Sequence, residues 1–194
     1  SSENWRRPPL EVKALMDLFV YVLQREVGKL HNNNIRLRII GNRQDLNREL
    51  QKLIDRAEQM TCENNGLQLS IAANYGGQWD ITQAARKLAQ VVLDGRLNVT
   101  DIKEYHLASC LCLSQLPPVD ICIRTGGEQR MSNFLLGQMA YAEFCFVDVL
   151  WPEFRHAQFV DALVDFSQRQ RRFGKTSEQE IPARSKANTI GSSF

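Results

Sequence analysis

Short apolar runs that stop at polar, glycine-bearing turns, separated by longer stretches with helical spacing, restrict this chain to an α/β arrangement. Residues 35–40 alternate apolar positions with Arg36 and Arg38 and stop at Gly41-Asn42. Residues 67–75 set Leu67, Leu69 and Ile71 on one face before Gly76-Gly77, and residues 119–123 run directly into Arg124-Thr125-Gly126-Gly127. Each reads as a strand, with Phe144–Val147 as a shorter fourth. Helical spacing covers 10–30, 44–62, 79–93, 100–113, 133–142 and 154–173, with Thr100 as the amino-terminal cap of the fourth of these. Strands that alternate with helices predict an α/β fold with a mostly parallel central sheet flanked by helices.

The segment 10–30 carries more apolar surface than a single stripe. Val12, Leu15, Phe19, Leu23 and Leu30 follow one side, and Met16, Val20 and Val27 widen it. Such a helix is either buried on several sides or lends part of its surface to a cavity for an apolar ligand. Hydrophobic residues make up 43% of the 194, enough for a core, while a formal net charge of +2 argues against a general nucleic-acid binder. No run is long enough to span a membrane. The five cysteines are odd in number and lack zinc-ligand spacing, which suits reduced thiols in a cytoplasmic protein.

In parallel sheets ligands gather beyond the carboxyl ends of strands. Three polar segments leave strands here: 72–77, 124–134, and the turn at Val147-Asp148. The second is the sharpest. Arg124 and Arg130 flank Gly126-Gly127, followed by Ser132-Asn133. Guanidinium forks match phosphate oxygens in pairs, and glycines let backbone N–H groups approach a ligand closely. The segment therefore reads as a seat for a phosphate or diphosphate; a solvated turn that carries two arginines is the competing reading.

Several stretches resemble the cis-prenyltransferase family: Ser1-Ser2-Glu3-Asn4-Trp5 with Arg7-Pro8, Leu37–Gly41, Ile71–Gly77, Asp120–Glu128, Arg130–Leu136 and Leu150–Phe154. Their order and spacing hold from Ser1 to about Gly174, which makes residues 1–174 the family domain and 175–194 a polar tail. The resemblance implies a parallel sheet with an apolar product tunnel, a homodimer and a requirement for Mg2+. It implies successive condensation of isopentenyl diphosphate onto farnesyl diphosphate, each step making a cis double bond, to give a long-chain polyprenyl diphosphate that carries cell-wall glycans. A cytoplasmic enzyme at the inner face of the membrane, touching it only to release product, follows from that chemistry.

Roles transfer by position. Arg124, Arg130, Met131 and Ser132 match residues that grip the diphosphate of isopentenyl diphosphate. Glu143 matches a magnesium-linked glutamate. Ser1, Ser2, Glu3, Trp5 and Arg7 match a loop over the allylic substrate, and Asn4 matches the position assigned as proton acceptor. An amide is a weak base, so Asn4 suits orienting the isopentenyl group better than removing its proton. Glu11 matches a residue linked to closure of that loop, and Leu67 matches a tunnel wall. Gln129 stands where some members carry a histidine, and a neutral amide is a poor magnesium ligand. Arg172-Phe173-Gly174 resembles a carboxyl-terminal motif that reaches a neighbouring active site. The family's Asp-Gly-Asn-Gly-Arg motif, whose aspartate carries magnesium, has no counterpart in these residues, so residues 1–194 alone are expected not to transfer prenyl groups. A non-catalytic subunit of the same fold and a phosphate-ligand-binding α/β module are the alternatives.

Overall fold

The computed structural model describes residues 1–3 and 8–169. Asn4, Trp5, Arg7, the 172–174 motif and the 175–194 tail lie outside the described residues. The chain divides into two compact units, one of Ser1–Pro118 with Arg130–Ala140, the other of Val119–Gln129 with the residues from Tyr141 onward.

The first unit is built on two parallel strands, β1 (Arg36–Ile40) and β2 (Gln68–Ala72), with Leu37 opposite Leu69 and Ile39 opposite Ile71. Alternation along β1 turns Leu37 and Ile39 inward and Arg36 and Arg38 to solvent. Helices α1 (Pro9–Asn32) and α2 (Arg48–Met60) supply the rest of the core: Leu23 and Val27 from the first, Leu50, Ile54 and Ala57 from the second, with Leu46 just before it. The second helix starts later than its apolar spacing suggests. Asn47 caps it, its side chain accepting from the Leu50 N–H at 2.8 Å, while Arg43–Asp45 form a separate 3-10 turn.

The free edge of β1 is blocked by side chains. The Leu37 N–H donates to Thr61 Oγ1 at 3.0 Å and the Ile39 N–H to Glu58 Oε1 at 2.7 Å. Arg43 binds both Glu58 and the Ile39 carbonyl. Backbone groups that could template another strand are therefore occupied from α2 and the residue that follows it.

A third helix, α3 (Gly77–Leu93), and a short α4 (Glu104–Cys110) complete this unit. The expected helix over 100–113 is met only at Glu104–Cys110. Residues Val99–Asp101 form a 3-10 turn, Ile102 and Lys103 are extended, and helix begins only where the Lys103 N–H meets His106 Nδ1 at 3.0 Å. Residues 133–142 are likewise turns rather than a helix. Ser132 and Leu135 sit at φ 57° and 45°, left-handed values that interrupt helical hydrogen bonding. Leu135 and Met139 are nonetheless buried, so the helical spacing recorded which side chains go inside but not the backbone path.

What draws this segment inward is Asp80, 2% exposed in the first turn of α3. Its carboxylate accepts from Tyr75 Oη at 2.8 Å, from the Cys112 N–H at 2.9 Å and from Gln138 Nε2 at 2.9 Å. Burial, then the carboxylate, pushes the Tyr75 hydroxyl far above its ordinary value, so it remains a donor. Burial and then Asp80 push the Cys112 thiol up to about 11, which keeps it protonated and unreactive at neutral pH. All five cysteines are free thiols.

In the second unit β3 (Ile121–Thr125) pairs in parallel with β4 (Glu143–Val147), and α5 (His156–Gln168) packs on β4. The parallel α/β class is thus met, with one two-stranded parallel pair in each unit among the described residues.

Asp80→Ala is expected to remove the acceptor of one buried and two part-buried donors and to cost about 3–5 kcal/mol, in the range of breaking a buried charged network. Tyr75→Phe removes one donor and should cost about 1 kcal/mol. Urea unfolding of the two variants decides it; equal losses would show that Asp80 does not organise the others.

Candidate active site

Strand β2 ends at Ala72, and residues 73–76 turn the chain into α3. Asn74, at φ 52°, donates from Nδ2 to the Asn42 carbonyl at 2.9 Å, which ties this turn to the end of β1. Tyr75 follows, buried, with Trp79 and Phe134 edge-on at 6.1 and 5.9 Å between ring centroids. The Tyr75 carbonyl accepts from the Ser2 N–H at 2.9 Å, which seats the first three residues beside the turn.

The result is a cleft of about 230 Å3 lined by Ser1, Glu3, Ala72, Tyr75, Ser132, Asn133 and Phe134. It unites residues from opposite ends of the sequence that separate motifs had nominated: Ser1 and Glu3, and Ser132. Ser1 and Ala72 also line a second cavity, of about 200 Å3, whose other walls include Val12, Leu15, Met16, Phe19, Leu46 and Ile71. The excess apolar surface of α1 is therefore divided. Its carboxyl half packs into the core, where Leu23 and Val27 are buried, and its amino half faces this cavity. Met16 and Phe19 of that amino half also pack against the core. A larger cavity of about 620 Å3 lies elsewhere, lined by Arg36, Arg38, Arg43 and the 111–116 segment, and holds none of the nominated residues.

Met131 is half-buried and Arg130 exposed in the same unit. Leu67 precedes β2, is 66% exposed, and is not among the residues that line the apolar cavity.

The second unit holds Arg124 and Glu143, on neighbouring strands with Arg124 opposite Phe146 and Glu143 opposite Ile121. The glycine turn after β3 departs from expectation. Its N–H groups are committed inward, Gly126 to the Val149 carbonyl at 2.8 Å and Gly127 to the Val147 carbonyl at 3.2 Å. Their φ values of 86° and 71° explain the glycines: the turn must double back onto the end of β4. The pair shapes the loop, and its two N–H groups are taken by backbone carbonyls rather than offered to a ligand. Glu143 opens β4, and its Oε2 meets Arg169 Nη1 at 3.2 Å. Arg169 also donates to the Phe144 carbonyl and to Asp165, and those two carboxylates, Asp165 foremost, hold its guanidinium above its ordinary value. Sequence reasoning passed over Arg169 and Asp80, which lie in none of the quoted motifs, and gave Asn133 no role of its own although it lies in the Arg130–Leu136 stretch; the contacts of Asn133 and Asp80 are distant in sequence.

Magnesium is implied by the resemblance. Among the described residues no three His, Cys, Asp or Glu side chains gather as a metal cage. Magnesium commonly takes one or two carboxylates and completes its shell with water and substrate phosphates. A single carboxylate fits that habit, and Glu143, paired with Arg169, is the residue that the resemblance nominates for it.

Comparison with known proteins agrees with this chemistry. Residues 1–174 match the family model described as "Putative undecaprenyl diphosphate synthase". The chain is 58% identical over 179 residues to the ditrans,polycis-undecaprenyl-diphosphate synthase ((2E,6E)-farnesyl-diphosphate specific) of Aliivibrio fischeri, covering 92% of this chain and 70% of that protein. Identity is also 58% to the Pseudomonas aeruginosa protein of the same name, covering 92% and 71%. The crystal structure of lavandulyl diphosphate synthase from Lavandula x intermedia in complex with dimethylallyl diphosphate superposes with a TM-score of 0.86 at 36% identity, over 90% of this chain and 75% of that one. With nine-tenths of its length matched in both sequence and fold, the chain belongs to the undecaprenyl diphosphate synthase family of cis-prenyltransferases.

Proposed function

We propose that this protein condenses isopentenyl diphosphate units one after another onto farnesyl diphosphate, making a cis double bond each time and releasing undecaprenyl diphosphate or a polyprenyl diphosphate of similar length. The observation that carries the reading is that a polar cleft and an apolar cavity lie side by side, sharing Ser1 and Ala72 in their walls. An allylic diphosphate has the same division, a charged head and a hydrocarbon tail. The names of the relatives, each specific for farnesyl diphosphate, supply the substrate.

In this mechanism Arg124, Arg130 and Ser132 hold the diphosphate of isopentenyl diphosphate, Met131 contributes backbone, and Ser1, Ser2 and Glu3 border the allylic substrate. The allylic carbon–oxygen bond ionises, the isopentenyl double bond attacks the delocalised cation, and a proton leaves. Fixed positive charge placed where the diphosphate departs lowers that barrier electrostatically. Magnesium, when bound through Glu143 and substrate oxygens, supplies further charge to the leaving diphosphate. Asn4 orients the isopentenyl group, while a diphosphate oxygen or water takes the proton. The apolar cavity receives the growing chain and opens the product tunnel.

The finer features have separate support. Phe159, Val160, Leu163 and Val164 leave an apolar face exposed on α5, which suits a second copy of the chain in a homodimer. No helix among the described residues is long and apolar enough to cross a membrane. Free thiols throughout suit the cytoplasm, and contact with the membrane is needed only to hand over the product.

Arg124→Ala and Arg130→Ala in the full-length protein should each remove charge-assisted bonds of about 1.5–3 kcal/mol, and so weaken use of isopentenyl diphosphate by roughly ten- to a hundredfold. Steady-state kinetics with that substrate varied measures this, and unchanged KM and kcat in both variants would falsify the assignment. Ala73→Leu should intrude on the apolar cavity and shorten the product, while Leu67→Ala, at the position that matches a tunnel wall, should lengthen it. Chromatography of the chains reads both. Full-length product from folded Ala73→Leu would detach the cavity from the tunnel, and an unaltered distribution from Leu67→Ala would remove that residue from the wall.

A further inference from the structure

Asn133 touches three elements at once. Its carbonyl accepts from the Gly77 N–H at 2.9 Å, its Oδ1 accepts from the Gln78 N–H at 2.9 Å, and its Nδ2 donates to Glu3 Oε1 at 3.3 Å. The first two contacts occupy the amino end of α3. The residue that precedes this helix is Gly76, which has no side chain to cap it, so its first N–H groups need an acceptor from elsewhere. Asn133 supplies it from 55 residues away in sequence.

Gly76 makes that arrangement possible. A Cβ there would stand 2.7 Å from Ser2 Oγ and 2.8 Å from Asn133 Nδ2, so only glycine admits both neighbours. Immediately before Asn133, Ser132 sits at φ 57°, a conformation that strains any residue with a Cβ and persists only where neighbouring contacts hold it. The contacts of Asn133 are among its immediate neighbours.

We propose that Asn133, which borders the cleft, is a positioning residue that mounts the Arg130–Ser132 turn and the Ser1–Glu3 segment on the amino end of α3, and so sets the affinity for isopentenyl diphosphate through Arg130 and Ser132. The inference rests on the assignment of Arg130 and Ser132 as diphosphate ligands. It also changes the meaning of Gly76-Gly77. The Gly77 and Gln78 N–H groups are engaged by Asn133, and the turn serves as a clasp for the substrate-binding loop.

Asn133→Asp separates the contacts. The carboxylate still accepts from Gln78 at the positive end of the helix dipole, which preserves folding, but it cannot donate to Glu3. Asn133→Ser is the neutral companion, too short to reach Glu3. In the full-length protein each should raise KM for isopentenyl diphosphate about tenfold while kcat at saturation stays within about twofold, the signature of lost binding. Adding Glu3→Gln to Asn133→Asp restores a donor–acceptor pair with its direction reversed and the original net charge, and should bring KM back toward the wild-type value. Gly76→Ala should reproduce the rise in KM by crowding Asn133. Wild-type KM in whichever of the two Asn133 variants folds, or a loss confined to kcat, would overturn the proposal. Arg130→Ala in the same series tests the assignment beneath it. If that variant keeps its KM, the diphosphate reading of the turn fails; if its KM rises while the Asn133 variants stay normal, only the positioning role fails.

Discussion

A single buried carboxylate organises the unit that holds the proposed substrate cleft. Asp80 gathers Tyr75, the Cys112 backbone and Gln138 around the first turn of α3. A charge so placed is tolerable only when each of its oxygens is met by a donor. That requirement draws in three segments whose sequences have no common pattern. Tyr75, held by its hydroxyl, then presents its ring to Phe134 and its carbonyl to Ser2. The walls of the cleft follow from those two contacts.

The cleft and the cavity beside it divide along the same line as the substrate. Polar side chains come from chain turns, at 1–3 and 132–133, where backbone direction changes and side chains reach solvent. Apolar ones come from α1, from β2 and from Leu46, regular structure or its immediate flank, where spacing repeats. Because α1 runs past the core, its buried carboxyl half anchors it while its amino half remains available to a hydrocarbon. The same helix thus contributes buried core residues at one end and a cavity wall at the other.

Legibility followed the range of the interactions. The strands and the long helices were readable because alternation and helical spacing are local, and β1, α1 and α3 lie close to where those periods place them. The glycine turn after β3 was readable as a turn, but its purpose was not. Whether the N–H groups of Gly126 and Gly127 meet a ligand or the carbonyls of Val149 and Val147 depends on a strand some twenty residues later. Residues 133–142 show the limit most clearly. Their apolar spacing suits a helix, yet the pull of Asp80 on Gln138 and of α3 on Asn133 gives a chain of turns, with Leu135 left-handed within it and Ser132 just before it. Tertiary bonds outweighed a local preference worth a few tenths of a kcal/mol per residue.

By itself the sequence determined the α/β class, the arginines and serine suited to a diphosphate, and a family resemblance carried by motifs in order. Those properties reside in side-chain chemistry and in short-range periodicity. Only the tertiary structure decided that Ser1 and Glu3 share a cleft with Ser132, that half of α1 faces a cavity, and that Asn133 closes the end of a helix it does not belong to. Each of those depends on where the backbone returns after tens of residues, and that is set by the satisfaction of buried polar groups such as Asp80 rather than by any local pattern.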